Sequence, residues 1–477
     1  MKHISLPVGS TRYLRVPGQS NVYWKSDNLN IEVRNAPGGV GRIRPRRDYL
    51  RPEGQAVISA INQHGHVVDQ YEVTVVSWPA GNQIFEPFEH VGDYSNVLEV
   101  GDHLYAFKGT AVYRSTDGLD TVELVGEANI APAYNNPILA TPLGYFCREN
   151  GPNGNVYRSD DLLNWDLCCQ TAVRGLYHGV DYHYDGENVI IYCGEYVSNE
   201  RGANVYRGII QPNGEQDWSV VLRFYTRPEY DDDDTLVPKC RHIHTVQVDP
   251  YTGDVWVGTG DVARECHIYR SSDQGTTWQL VMGGDDPNAP HQRARTLAFW
   301  FTERYVYWNN DNTIDQHIWR IDRSKLEGQT PNEGLEQVYA LVNGSHWYTC
   351  WATDEVGRRV IVMAQASEGQ RRDWLNRAFA ICELPDGSLD VQELIALRSS
   401  PDPQNAYAQL EPKLQDRHGN IYLTGRAIEP TGMWRARIAR PYRPPEIVWT
   451  SPTVYGSIKE LYSDSFSRAK FAEGVQP

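Results

Sequence analysis

Histidine, arginine and tyrosine recur where short apolar runs begin in this chain. Tyr177-His178, Arg241-His242-Ile243-His244, His291-Gln292-Arg293-Ala294-Arg295, His346-Trp347-Tyr348 and Tyr407-Ala408-Gln409-Leu410-Glu411 each open such a run, and Asp181 and His183 follow in the first. A dry core does not account for charged side chains at successive equivalent places, because they are seldom buried unpaired. These residue types suit β-elimination from a uronic acid, which needs a cation to neutralise the carboxylate, a base and an acid. On that reading Arg293 or Arg295 neutralises, His178 or His242 is the base, and Tyr177 or Tyr348 the acid. Arg241, His244, His346, Trp347 and Tyr407 would contact substrate. His242 and His244 alternate along one strand, so they point the same way and with His178 could hold a metal. Against this, a single histidine is more often a satisfied structural one. No metal or cofactor is assigned; structural calcium or zinc is the weaker alternative.

The elements that must position these residues are short strands. From Arg241 to Leu280 the pattern alternates through Ile243, Thr245, Val246 and Val248, turns at Asp249-Pro250-Tyr251-Thr252-Gly253, and resumes at Val255-Trp256-Val257 and His267-Ile268-Tyr269. It ends on Ser271-Ser272-Asp273-Gln274-Gly275-Thr276-Thr277-Trp278. That predicts a four-stranded antiparallel meander. Val112-Tyr113-Arg114-Ser115, Val156-Tyr157-Arg158-Ser159, Val205-Tyr206-Arg207, Ile268-Tyr269-Arg270-Ser271 and Ile318-Trp319-Arg320 repeat its third strand, roughly 44 to 63 residues apart, the spacing of propeller blades. First and second strands fall at 97–105, 137–146, 178–192, 242–257, 296–307, 347–362 and 408–423. They count to seven blades, with six or eight left open by a last blade completed from elsewhere in the chain.

Ser271 to Trp278 matches the S-x-D-x-G-x-T-W Asp box, with Ser271, Asp273, Gly275 and Trp278 in structural roles. Ser159 to Trp165 is a shortened copy and Ser115 to Val122 a degraded one. The region resembles the sialidase-like Asp-box (BNR-repeat) propellers, a fold that hosts several chemistries and pure binders. The F/Y-R-I-P motif of sialidases is absent. The His/Tyr/Arg set resembles that of propeller-type ulvan lyases in residue types alone. Residues 1–78 resemble the bacterial immunoglobulin-like group 2 domain, in Val22-Tyr23-Trp24-Lys25-Ser26, the Gly54 to Ala60 strand and the terminal Tyr71-Glu72-Val73-Thr74-Val75. The stretch Pro37 to Arg47, with Arg42, Arg44, Arg46 and Arg47, departs from that pattern. The expected organisation is all-β: an immunoglobulin-like sandwich over 1–78, a linker over 79–84, a propeller over 85–450 and a C-terminal extension over 451–477.

The chain has 477 residues, a net charge of −16 and a mean hydropathy of −0.55. No basic footprint marks a nucleic-acid binder, and no apolar run approaches a membrane span. With 14 Trp and 29 Tyr against 10 Phe, flat faces with polar edges are plentiful, suiting both half-buried strands and sugars. Asp231 to Asp234 lacks the spacing of a calcium loop. The eight cysteines form no C-x-x-C pair, and the opening MKHISLPVGS has no signal-peptide core. Folding in a host cytoplasm is therefore expected. The preferred reading is a phage virion component, tail-associated or capsid-attached, whose propeller binds carbohydrate or a host-surface glycan. Its other partners would be virion proteins or further copies of itself. The alternative is a polysaccharide-cleaving enzyme, a uronic-acid lyase before a sialidase-like hydrolase, that stays cytoplasmic or is released without a signal peptide.

Overall fold

The computed structural model describes residues 2–7, 10–16, 19, 21–27, 31–36, 40–45, 54–76, 88–133, 136–149, 153–171, 175, 177–197, 202–224, 240, 242–261, 265–283, 293–311, 317–340, 346–353, 359–366, 375–383, 387–398, 408–428 and 430–436. The linker at 79–84, the acidic run Asp231 to Asp234 and the extension at 451–477 lie outside them.

Seven four-stranded antiparallel meanders follow one another from Asn96 onward. Their innermost strands are Asn96–Val100, Leu139–Thr141, Val180–Tyr184, His242–Val248, Phe299–Phe301, His346–Thr353 and Gln409–Gln415. The fourth is the meander expected from the sequence: His242–Val248, Val255–Gly260, Ile268–Ser271 and Gln279–Met282. The seventh is completed from elsewhere. Its outer strand is Glu89–Gly92, from the N-terminal side of the first blade, paired with Gly432–Ala436. This closure makes the array a β-propeller with seven blades.

A burial gradient along each blade explains the sequence patterns. Second strands such as Val189–Gly194, Val255–Gly260 and Tyr305–Asn309 are buried on both faces, because each sheet is packed between its neighbours. They read as continuous apolar runs rather than alternating ones. Outer strands such as Glu123–Glu127 and Gln216–Arg223 are largely exposed.

The recurring third-strand signature also has a structural cause. All seven third strands shift register immediately before an aromatic residue: Tyr113, Tyr157, Tyr206, Tyr269, Trp319, Phe379 and Trp434. A bulge adds one residue and increases the local twist. In six blades the next residue is arginine.

The N-terminal residues form a β-sandwich. One sheet orders Lys2–Pro7, Val67–Val76, Gly54–Asn62 and Val22–Ser26; the other holds Ser10–Arg15, Val40–Pro45 and Ile31–Ala36. Trp24, Ile31, Ile43, Ile58 and Val73 share the core between them. The arginine-rich stretch thus contains a regular strand, Val40–Pro45, paired on both sides. Ser10 and Thr11 also pair with Gln392 and Val391, extending the sixth blade outward.

Candidate functional site at the propeller mouth

The innermost strands enclose an axial cavity of about 150 Å3, to which every blade contributes, including Leu98, Ala140, His178, Gln247, Phe299, Trp351 and Lys413. Tyr177 and His178 line it and meet Tyr348, with ring centroids 4.9 Å apart for Tyr177–His178 and 5.0 Å for Tyr177–Tyr348. Both tyrosines are buried. His178 Nε2 accepts the Thr349 N–H at 3.0 Å, so its lone pair is engaged. The Lys413 ammonium lies 4.6 Å from the Tyr177 ring centre and 2.8 Å from Glu411 Oε2. Gln409 donates to the other Glu411 oxygen. Asp181 is structural: its carboxylate accepts the N–H groups of Tyr182 and Val248 at 2.9 and 3.0 Å. Burial lowers the His183 pKa.

A second constellation occupies the mouth where the strands begin. Because the blade is antiparallel, the end of its second strand lies beside the start of its first, and His242 pairs with Gly260. This brings Asp261 onto both expected histidines: His242 Nε2 is 2.9 Å from Oδ2 and His244 Nε2 3.0 Å from Oδ1. From the fifth blade, Arg295 Nη2 reaches Asp261 Oδ1 at 3.2 Å and Asp311 Oδ2 at 3.0 Å. From the sixth, Trp347 Nε1 donates to Asp311 Oδ1 at 3.0 Å. Burial alone would raise the Asp261 carboxyl. The hydrogen bonds from His242 and His244, with the charge of Arg295, hold it well below the usual carboxylate range.

Tyr196 completes the group from the third blade. Its ring stacks on His242, centroids 4.2 Å apart and planes 22° apart, and keeps part of its surface open. The backbone fixes it there: Tyr196 bridges to His242, and the Glu195 carbonyl accepts the Ile243 N–H at 3.0 Å. The fully buried Glu195 carboxylate accepts from Asn204 N at 3.1 Å and from the Tyr206 hydroxyl at 3.2 Å.

The structure therefore separates the expected site residues into two groups, with Tyr177 and His178 at the cavity wall and Tyr348 packed against them, and His242, His244, Arg295 and Trp347 at the mouth. The Arg293 guanidinium lies over the Trp319 ring at 5.3 Å. Arg241, His291 and Tyr407, and the side chain of His346, lie outside the described residues. Tyr196, Asp261 and Asp311 escaped the sequence reading. All three follow the end of a second strand, Val189–Gly194, Val255–Gly260 and Tyr305–Asn309, so a polar or aromatic residue leaving an apolar run was the available signal. Among the described residues no group of three or more His, Cys, Asp or Glu is placed to hold a metal. No described helix is long and apolar enough to cross a membrane.

The outer turns share one hydrogen-bond pattern. Asp273 accepts from Ser271 Oγ at 2.8 Å and from Thr277 N and Oγ1 at 2.8 and 2.6 Å, while Gly275 N donates to Ser271 Oγ at 2.7 Å. Asp117 and Asp161 repeat this in the first two blades. Trp278 Nε1 donates to Val221 O at 2.9 Å, tying its turn to the outer strand of the third blade.

Seven blades around an axial cavity, with a polar and aromatic mouth, define this chain as a β-propeller protein. No protein-family model and no curated protein matches it. It is similar to a quinonprotein alcohol dehydrogenase-like protein from Bacteroides thetaiotaomicron, at 10% identity and a TM-score of 0.38, over 83% of this chain and 96% of that one. A putative 6-phosphogluconolactonase from Bacteroides fragilis gives 11% identity and a TM-score of 0.37, over 76% of this chain and 98% of that one. Trypanosoma rangeli sialidase in complex with sialic acid gives 10% identity and a TM-score of 0.33, over 91% and 60%. Similarity at this level says nothing about chemistry.

Proposed function

We propose that the propeller is a carbohydrate-binding module and that the chain is a structural component of a phage virion, tail-associated or capsid-attached, that presents it. The observation that carries the glycan reading is the half-open Tyr196 ring stacked on His242 beside the partly exposed Asp261. A sugar offers an apolar C–H face and a rim of hydroxyls. A fixed aromatic face beside fixed hydrogen-bonding groups complements both. Binding is favoured over cleavage because the groups an elimination would need are engaged elsewhere. His178 Nε2 accepts a backbone N–H, Tyr177 and Tyr348 are buried, and Arg295 sits on two carboxylates. Kinship with the Asp-box propellers is supported by the shared turn pattern, and the immunoglobulin-like reading by the buried Trp24 between two sheets. The eight cysteines, none of them in a disulfide, accord with folding in a reducing cytoplasm before assembly.

A glycan array followed by calorimetry tests the binding reading. Tyr196→Ala and Trp347→Ala are expected to weaken binding roughly tenfold or more, the loss of a stacking contact worth about 1.5 kcal/mol. Asp273→Ala, in an outer turn, is expected to leave it intact. A folded protein that binds no glycan, or variants that bind as well as the parent, would reject the reading. Virion placement is tested separately: antibody to the chain should decorate purified particles, and label confined to the cell fraction rejects it.

A further inference from the structure

We infer that Lys413 is a carbonyl-condensing amine at the wall of the axial cavity, where it captures small aldehydes or ketones as an imine. The inference is independent of the glycan reading, since neither Tyr196 nor His242 nor Asp261 lines this cavity. Lysine is almost never fully buried, yet the Lys413 side chain keeps only 2% of its surface open. It belongs to the innermost strand Gln409–Gln415, which is buried along its whole length. Its ammonium meets Glu411 Oε2 at 2.8 Å and lies 4.6 Å from the centre of the Tyr177 ring. Gln409 donates to the other Glu411 oxygen and fixes that carboxylate. A buried ion pair adds little stability over apolar side chains of similar volume, so stability is a weak reason for one beside a cavity.

The surroundings favour the neutral amine, which is the nucleophile. Leu98, Ile138, Val180, Phe301 and Leu414 line the same cavity. Burial lowers the pKa of the Lys413 ammonium, with Glu411 opposing the shift. A cavity of about 150 Å3 admits a molecule of roughly the size of benzene. The step balances without oxidant or reductant. The ammonium passes a proton to Glu411, and the freed Nζ pair attacks the carbonyl carbon. The carbonyl π pair moves to oxygen, which takes that proton from Glu411. Glu411 then removes a proton from nitrogen and delivers it to the new hydroxyl, which leaves as water. An iminium remains beside a carboxylate, so the net charge of the pair is unchanged.

The test incubates the full chain with equimolar benzaldehyde at neutral pH, traps imines with cyanoborohydride and maps the benzylated peptides by mass spectrometry. Most of the label is expected on Lys413, ahead of exposed amines such as Lys108. Unfolding the chain in urea before labelling should remove that preference, because it comes from the cavity and not from the local sequence. Lys413→Met should abolish the excess label; Lys413→Arg, which keeps a charge beside Glu411, is the second variant should the first fail to fold. A folded chain labelled on its other amines and not on Lys413 overturns the inference, as does a Lys413 preference that survives unfolding. Either result leaves glycan binding at the mouth standing.

Discussion

Arg207 Nη1 in the third blade donates to the carbonyl of Gln274 in the outer turn of the fourth, at 2.9 Å. Arg320 does the same to Gly387 of the sixth blade, and Arg435 to Gly118 of the first. Each arginine follows the bulged aromatic of its third strand. Each acceptor residue has a left-handed backbone, with φ of 59° at Gln274, 79° at Gly387 and 73° at Gly118. The bulge aims the arginine sideways and the left-handed residue turns its carbonyl out to meet it. In these three blades the repeated signature is thus a clasp to the next blade.

The clasp matters most at Arg435, where the ring closes. Its buried guanidinium also meets Glu89 of the closing strand and Asp120 of the first blade. Both carboxylates are about half exposed and can rehydrate, so the loss in Arg435→Met comes mainly from the orphaned carbonyl and from packing. A destabilisation of about 2 kcal/mol is expected in urea unfolding. Arg114→Met, which breaks an exposed pair with Glu123 inside one blade, should leave the midpoint unchanged.

Much of this was legible in the sequence because it is local. Val-Tyr-Arg marks a bulge, and Ser-x-Asp a turn closed by its own side chains. The third strands of blades six and seven lack the valine or isoleucine before the aromatic, reading Ala378-Phe379 and Met433-Trp434, and were missed. The site was half legible. His242 and His244 announce themselves at a strand start, but Asp261 is 17 residues beyond His244 and meets it only through antiparallel pairing. The second outer turn shows a different substitution. It has no glycine, and Leu162 takes φ 67° instead. That conformation costs roughly 1–2 kcal/mol, which the burial of its side chain at 2% exposure offsets by a similar amount.

Asp273 should contribute stability without function. Hydrogen bonds from Thr277 and Ser271 lower its pKa to about 2, against roughly 3.9 unfolded. The stabilisation is therefore full above about pH 4 and fades as pH falls through about 2. The group is exposed, so solvent discounts it, and Asp273→Ala is expected to lose about 1 kcal/mol at neutral pH. Thermal unfolding at pH 7 and pH 3 should show the difference shrinking in acid. An equal difference at both would mean the carboxylate charge is irrelevant to the turn.

Asp261 should contribute to both stability and binding. Asp261→Ala leaves two imidazoles and the Arg295 guanidinium facing one another in a mostly buried site. Breaking such a group destabilises by about 3 kcal/mol. Its folded pKa is depressed, so its contribution is present above the unfolded value of about 3.9 and is lost on acidification. Unfolding followed from pH 7 to pH 3 should begin to narrow the gap between Asp261→Asn and the parent, with most of the loss falling at still lower pH. A constant gap would place the effect in packing.

Glu99 predicts the opposite slope. It lies at 4% exposure against the axial cavity, and its Oε1 accepts Arg417 N at 2.8 Å and Nε at 3.2 Å. Burial nevertheless pushes its carboxyl up to about 7, with Asp416 adding to the rise and Arg417 opposing it. A raised folded pKa means the protonated form suits the fold. Stability from this group is complete below the unfolded value of about 4.3 and is lost as pH climbs through about 7. Between those limits the parent should lose stability relative to Glu99→Gln, on the order of 3 kcal/mol for a shift of this size. Glutamine keeps the acceptor for Arg417 and cannot ionise, so it isolates the charge. Paired denaturant curves at pH 5 and pH 8 are the measurement, and a Glu99→Gln difference that does not change between them would show that this carboxylate is ionised in the fold throughout.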